Sequence, residues 1–231
     1  MKKIIIVSGD PNSINSEIIL KSWKKINKSL KKKIYFISNF NLMKDQTKKF
    51  KFPLKISKVK TINDKSDQFS LKIIDVKLNY INPFKVPYRQ ASKFINKSLS
   101  IAHNLALNKN VIGLINCPIN KNFLKKKNIG VTEILAAKCK IKNNSEVMLI
   151  RNKRFAVSPI TTHIKIKDVS RSLNSHVIIN KIKTIHNFYK KFFNKKPNIG
   201  ILGLNPHNAE MIGNSEEKKI IVPSIAKLKK S

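Results

Sequence analysis

Apolar positions along this chain follow two periods, and the two alternate. Lys2–Val7 is a short β-branched run with the character of a buried strand, Lys33–Ser38 and Gln68–Val76 read as further strands, and Val111–Ile115 as another buried one. Ser8-Gly9-Asp10-Pro11 is a turn sequence. Ser16–Trp23 then carries its apolar residues at helical spacing, with Asn15 or Ser16 available as the N-cap. Arg89–Asn108 is the clearest long helix, since Phe94, Leu99, Ile101, Ala102 and Leu105 make a broad apolar face. Asn41 to about Asp67 is dominated by Lys, Thr and Asn and is expected to be irregular surface. Glu146–Ile150 and Phe155–Ile160 are expected to be two strands joined by the basic turn Arg151–Arg154. Val177–Phe193 predicts a second long amphipathic helix, Asn198–Leu204 a final strand, and Ser215 onward a helical or partly helical tail. The alternation predicts an α/β fold, with no internal repeat and no low-complexity linker.

Composition narrows the class. A chain of 231 residues with 41% apolar content buries a real core, as one large domain or two small ones. The apolar stretch after Met1-Lys2-Lys3 stops at Ser8, short of the ~7–15 residues a secretory h-region needs. No window approaches the ~18 apolar residues of a membrane span. Cys117 and Cys139 are too few and too far apart for a disulfide framework or a Cys-x-x-Cys site, so a reducing cytoplasm is expected. The formal charge of +36 suggests nucleic acid, yet the lysines are spread along the whole chain. Arginine, the better residue for bidentate contacts, occurs only at Arg89, Arg151, Arg154 and Arg171. Abundant Lys, Ile and Asn match A/T-rich codons, so non-specific, salt-sensitive association with polyanions is the expectation.

Candidate chemistry centres on two histidines, each placed just after an apolar run: His163 in Ser158-Pro159-Ile160-Thr161-Thr162-His163, and His207 in Gly203-Leu204-Asn205-Pro206-His207. In open α/β sheets ligands collect at the carboxyl ends of strands, so two such imidazoles can meet over one metal. A catalytic zinc takes three protein ligands, which leaves this pair at least one short. His103, His176 and His186 fit surface or helix-packing positions. Asp10 fits a turn-fixing role with Gly9 and Pro11. No Gly-x-Gly-x-x-Gly follows a predicted strand, and neither a Walker loop nor a nucleophile elbow is present.

Five blocks, in order along the whole chain, together resemble the 4-hydroxythreonine-4-phosphate dehydrogenase (PdxA) family of vitamin B6 biosynthesis. They are Gly9-Asp10-Pro11 with Glu17 downstream, Asn116-Cys117-Pro118-Ile119-Asn120-Lys121, Gly130-Val131-Thr132-Glu133, Thr161-Thr162-His163 with Asp168, and Gly203–His207. The resemblance implies an α/β/α sandwich like that of the isocitrate and isopropylmalate dehydrogenases, treated as a single region over residues 1–231 that divides at most into two sub-lobes. It implies a homodimer. It also implies NAD- or NADP-dependent oxidation of 4-phosphooxy-threonine, a phosphorylated amino acid, with decarboxylation to 3-amino-2-oxopropyl phosphate. A divalent metal (Zn, Mg or Co) is implied, held by histidines of which His163 and His207 match two.

Lys121 and Thr132 are the candidate substrate contacts. Thr132 precedes an apolar helical run, where it serves either a phosphate or an ordinary N-cap. Asp168 reads as the cap of the next helix. The sequence departs from the family at Val131 and Asn120, each standing where the family has histidine, and at Asn12–Ser16, where it has glycines and a proline. The third metal histidine belongs to a C-terminal part of the family that these residues do not include. Two other functions fit the sequence: a non-catalytic relative that binds a phosphorylated ligand or a partner, and a basic nucleic-acid-binding protein.

Overall fold

Five short strands and the helices between them make up the first half of the chain in a computed structural model, which describes residues 2–230 except 65, 68, 125–129, 142–144 and 163. Two compact units result, Met1–Leu135 and Ala136–Ser231. In the first, strands β1 (Lys3–Val7), β2 (Ile34–Ser38), β3 (Ile56–Val59), β4 (Leu71–Asp75) and β5 (Val111–Asn116) form one parallel sheet in the order β3-β4-β2-β1-β5. Helices α1 (Asn15–Lys25), α2 (Lys28–Lys31), α3 (Phe40–Lys49) and α4 (Tyr88–Ala106) connect them.

The pleat explains why these runs read as continuously apolar. Ile5, Val7, Tyr35, Ile37 and Ile74 share one core with Ala91, Phe94, Ile95, Leu99 and Ala102 of α4. Ile34, Phe36, Leu71 and Ile73, with Ile4 and Ile6 beside them, form a second core with Ile19, Leu20 and Trp23 of α1 and Met43 of α3. Successive side chains thus enter cores on opposite faces, as a parallel sheet covered on both sides requires. This is the α/β/α layering expected from the sequence.

Two expectations fail in this half. The segment Asn41–Asp67 is not irregular: it contains most of α3 and all of β3. The Asn39 side chain caps α3 by accepting from Leu42 N at 2.8 Å, and the Asp75 carboxylate accepts from Phe40 N at 2.8 Å. Gln46 and Thr47 take core-facing positions alongside Leu42 and Met43, so polar residues conceal the helical period. For α1, neither Asn15 nor Ser16 is the cap. Ile14 occupies that position, and both polar residues are buried in the first turn.

Lys72 lies in β4 between Leu71 and Ile73 and is itself buried. Its ammonium donates to Lys32 O at 2.8 Å and Lys31 O at 3.1 Å, closing the end of α2, and stands 4.5 Å from the Tyr35 ring centroid. Burial, reinforced by Lys3, pushes its pKa down to about 8. The folded chain therefore binds fewer protons than the unfolded chain between pH 8 and the ordinary lysine value of 10.5. Stability is expected to rise across that window, by about 1 kcal/mol once solvent screening is allowed for. Urea unfolding of the parent and Lys72→Met at pH 8 and pH 10 checks this, since the rise attributable to Lys72 disappears in the variant.

Helix α5 (Val131–Lys138) leads into the second unit, which holds β6 (Ile150–Arg151), β7 (Ala156–Val157), α6 (Val169–Ser172), α7 (Ser175–Phe193) and α8 (Val222–Lys229). Here the predicted strands shrink or vanish. β6 and β7 pair antiparallel over two residues each, around a turn in which Asn152 Oδ1 accepts from Arg154 N and Phe155 N. Asn198–Leu204, expected as a final strand, belongs to no sheet among the described residues. A cavity of about 590 Å³, lined also by Ile182, Ile185 and Tyr189 of α7, separates Ile199–Leu202 from Phe155–Ile160. An apolar run becomes a strand only when a neighbour supplies the ladder, and none does so here. A small core of Leu173, Ile178 and Ile221, flanked by Ile160, Ile201 and Ile225, holds this unit together. Its tail is helical as expected, opening with a π turn at Glu217–Ile221 that runs on into α8.

Candidate active site

In the first unit the strand order places β1 between β2 and β5, whose connections cross opposite faces of the sheet. The carboxyl ends of β1 and β5 thus flank the point at which ligands enter folds of this kind. The chain leaves β1 through Gly9, whose φ of +75° lies in the left-handed region. Asp10 then fixes the turn as the sequence suggests: its carboxylate accepts from Asn12 N at 2.9 Å and its carbonyl from Ser13 N at 3.3 Å. Asn15 closes the crevice by donating to Ser8 O at 3.0 Å and Pro118 O at 2.8 Å. Asn12 exchanges two bonds with the Val86 backbone, and Gln46 donates to Pro11 O and Pro83 O. Side-chain amides therefore lock the loops at this edge.

Beyond β5, Cys117 packs against the sheet, and burial pushes its thiol up to about 11, which makes it a poor nucleophile. Lys121 opens a 3-10 turn and is exposed. Thr132 is exposed too, but it lies inside the first turn of α5, so the N-cap alternative for it does not hold. Gly130 precedes the helix, and a Cβ there would stand 2.7 Å from Glu133 Oε2. The Glu133 carboxylate thus folds back over the helix start, where a phosphate at Thr132 would have to displace it. Ile119, Val131 and Ile134, on the same two segments as Lys121 and Thr132, pack against one core.

In the second unit, His163 lies outside the described residues. His207 is exposed and begins a run, His207–Met211, in which every residue has φ between 46° and 59°. Its ring makes no hydrogen bond among the described residues, so the imidazole is available to a metal. An exposed imidazole is a fitting donor for a divalent cation, but among the described residues no three His, Cys, Asp or Glu side chains converge on one point. The remaining histidines sit on helices: His103 is buried on α4, and His176 is paired with Asn180 on α7. Asp168 stands at the N-cap position of α6 without a side-chain capping bond.

Sequence reasoning missed the carboxylates that anchor the segment leading into His207. Glu217 is 2% exposed, and its Oε1 accepts from Leu204 N and Asn205 N, each at 2.8 Å. Asn205 Nδ2 adds bonds to Glu217 Oε2 at 3.1 Å and Glu216 Oε2 at 3.0 Å, and Ser170 donates to Glu216. These donors, the Asn205 N–H first, hold the Glu217 carboxyl below the usual range; for Glu216 the Ser170 hydroxyl is the chief cause. The signal available in the sequence was an adjacent acidic pair in a chain with only 12 acidic residues.

Known proteins share this arrangement of elements. Residues 11–231 match the family described as "Pyridoxal phosphate biosynthetic protein PdxA". The 4-hydroxythreonine-4-phosphate dehydrogenase of Sulfurihydrogenibium sp. is 34% identical over 239 aligned positions, covering 99% of this chain and 71% of the relative. That of Aquifex aeolicus is 31% identical over 240, with the same coverage. The crystal structure of 4-hydroxythreonine-4-phosphate dehydrogenase from Klebsiella pneumoniae superposes with a TM-score of 0.86 at 24% identity, over the whole chain and 72% of that structure, which establishes the fold. Matched along nearly its full length and by relatives above 30% identity, the chain belongs to the PdxA family of pyridoxal phosphate biosynthetic proteins.

Proposed function

We propose that this chain acts as a 4-hydroxythreonine-4-phosphate dehydrogenase in pyridoxal phosphate biosynthesis. The observation that carries the reading is the family match over residues 11–231, which spans Lys121, Thr132, His163 and His207. The reaction oxidises the substrate's secondary alcohol to a ketone with hydride transfer to NAD or NADP. The carboxylate then leaves as carbon dioxide, giving 3-amino-2-oxopropyl phosphate. His207 and His163 would hold the divalent metal, whose chemistry is that of a Lewis acid at the substrate oxygen.

The chain's other residues bind and orient. Lys121 offers an exposed ammonium, and Thr132 offers an exposed hydroxyl in the first turn of α5, a pair of groups suited to a phosphate once the Glu133 carboxylate gives way. The buried amides of Asn15 and Gln46 tie the loops around Gly9 to one another. A homodimer is part of the proposal.

The test is direct: the purified chain with substrate, NAD or NADP, and Zn²⁺, Mg²⁺ or Co²⁺, followed by the absorbance of the reduced nucleotide. Turnover abolished by a chelator and restored by the metal is the expected result. A folded chain that yields no reduced nucleotide with either cofactor and any of the three metals would leave a non-catalytic member of the family.

A further inference from the structure

The turn that carries His207 is built from residues that seldom adopt its backbone. His207, Asn208, Ala209, Glu210 and Met211 all lie in the left-handed region, which is unfavourable for any residue with a Cβ. Asn and His tolerate that region better than Ala, Glu or Met. Such a run persists only where its surroundings over-determine it. Within the turn, Asn208 N donates to Asn205 O at 3.1 Å and Ile212 N to Ala209 O at 3.0 Å. A side chain at Gly203 would collide with Asn208 Oδ1, so the turn folds directly back onto that glycine.

The anchor at the turn's near end is Glu217. One of its carboxylate oxygens accepts both backbone N–H groups entering the turn, Leu204 and Asn205, and both oxygens receive the Asn205 amide. Pro206 follows at once and fixes the next φ, so orientation imposed at Asn205 passes to His207 with little slack. We infer that Glu217 is a positioning residue: through Leu204 and Asn205 it aims the His207 imidazole, and it does so from the buried face of the tail rather than from within the site. Glu216 differs, accepting from Asn205 Nδ2 and Ser170 but from no backbone N–H of the turn. The consequence for a metal rests on the proposed role of His207; the clamp itself does not.

The experiment uses the full chain and two readouts. Backbone amide exchange by NMR, without metal, reports the clamp; Co²⁺ titration by calorimetry reports its consequence. In Glu217→Leu no acceptor remains for either backbone N–H, so Leu204 and Asn205 are expected to exchange at least ten-fold faster while α7 stays protected. Co²⁺ affinity is expected to fall about 10–100-fold, the range for groups that orient metal ligands. Glu216→Leu removes the same charge and side-chain acceptor but keeps the backbone bonds and is expected to change Co²⁺ affinity less than three-fold. Unchanged exchange at Leu204 and Asn205 overturns the clamp. Faster exchange with unaltered, His207-dependent Co²⁺ binding overturns the positioning role, as does equal weakening by both variants. If His207→Asn binds Co²⁺ as the parent does, the metal reading has failed, and the exchange data alone decide the clamp. Should Glu217→Leu not fold, Asn205→Ala, which deletes the side-chain bonds only, is expected to give the same two changes at smaller size.

Discussion

His207→Asn is expected to lower kcat/KM for nucleotide reduction at least about 100-fold while leaving the melting temperature within a degree or two. A metal acting as a Lewis acid supplies several kcal/mol of transition-state stabilisation, and each ~1.4 kcal/mol is tenfold in rate. On the role proposed for His207, loss of one ligand from a small imidazole set therefore exceeds any effect on binding alone. Asparagine is the informative replacement because it tolerates the left-handed φ of 51° that position 207 requires, whereas alanine would add strain. The ring is exposed and makes no hydrogen bond among the described residues, so stability has little to lose. Steady-state kinetics with a thermal melt on the same sample check both halves. A variant within a few-fold of the parent would remove His207 from the reaction.

Gly9→Ala is expected to destabilise the first unit by about 2–4 kcal/mol, combining left-handed strain with overpacking. The new Cβ would stand 2.6 Å from Asn15 Nδ2, 2.7 Å from Pro118 O and 3.0 Å from Cys117 O. Two of those neighbours are backbone and cannot yield cheaply. The third is the amide that joins β1 to β5 across the crevice, and pushing it away breaks its bonds to Ser8 O and Pro118 O. Urea unfolding should show the midpoint falling with little change in slope. Asn15→Ala, which removes the bridge and keeps the glycine, is expected to lose less. Equal losses would mean that the bridge, not the backbone, sets the cost.

Strands β1, β2 and β4 and helices α1 and α4 were legible because their burial is dictated by their own apolar period; β5 was legible as a strand but is not the buried one expected, since at the sheet edge Ile112 and Ile115 are exposed and no residue of it is buried. Helix α3 was not legible, since Gln46 and Thr47 fill core-facing positions by finding hydrogen-bond partners that only the folded chain provides: Gln46 with Ser16, Pro11 and Pro83, and Thr47 with Met43 O. Asn198–Leu204 failed in the opposite direction. It has the composition of a strand, but no described segment pairs with it. At the candidate site, the turn-fixing role of Asp10 and the block around His207 were readable from residue order. The Asn15 bridge and the Glu217 clamp were not, because each joins residues through space: Asn15 to Pro118 across 103 positions, and Glu217 to Asn205 across a left-handed turn.

The sequence by itself determined the α/β class, the family and the identity of the imidazole at 207, because periodicity and motif order are properties of the chain read in one dimension. Tertiary structure alone decided that polar side chains hold the site's loops in place, and that a buried carboxylate of the tail accepts the Leu204 and Asn205 N–H groups just before His207. A hydrogen bond between distant residues is specified by where the fold brings its donor and acceptor, and no local pattern encodes that meeting.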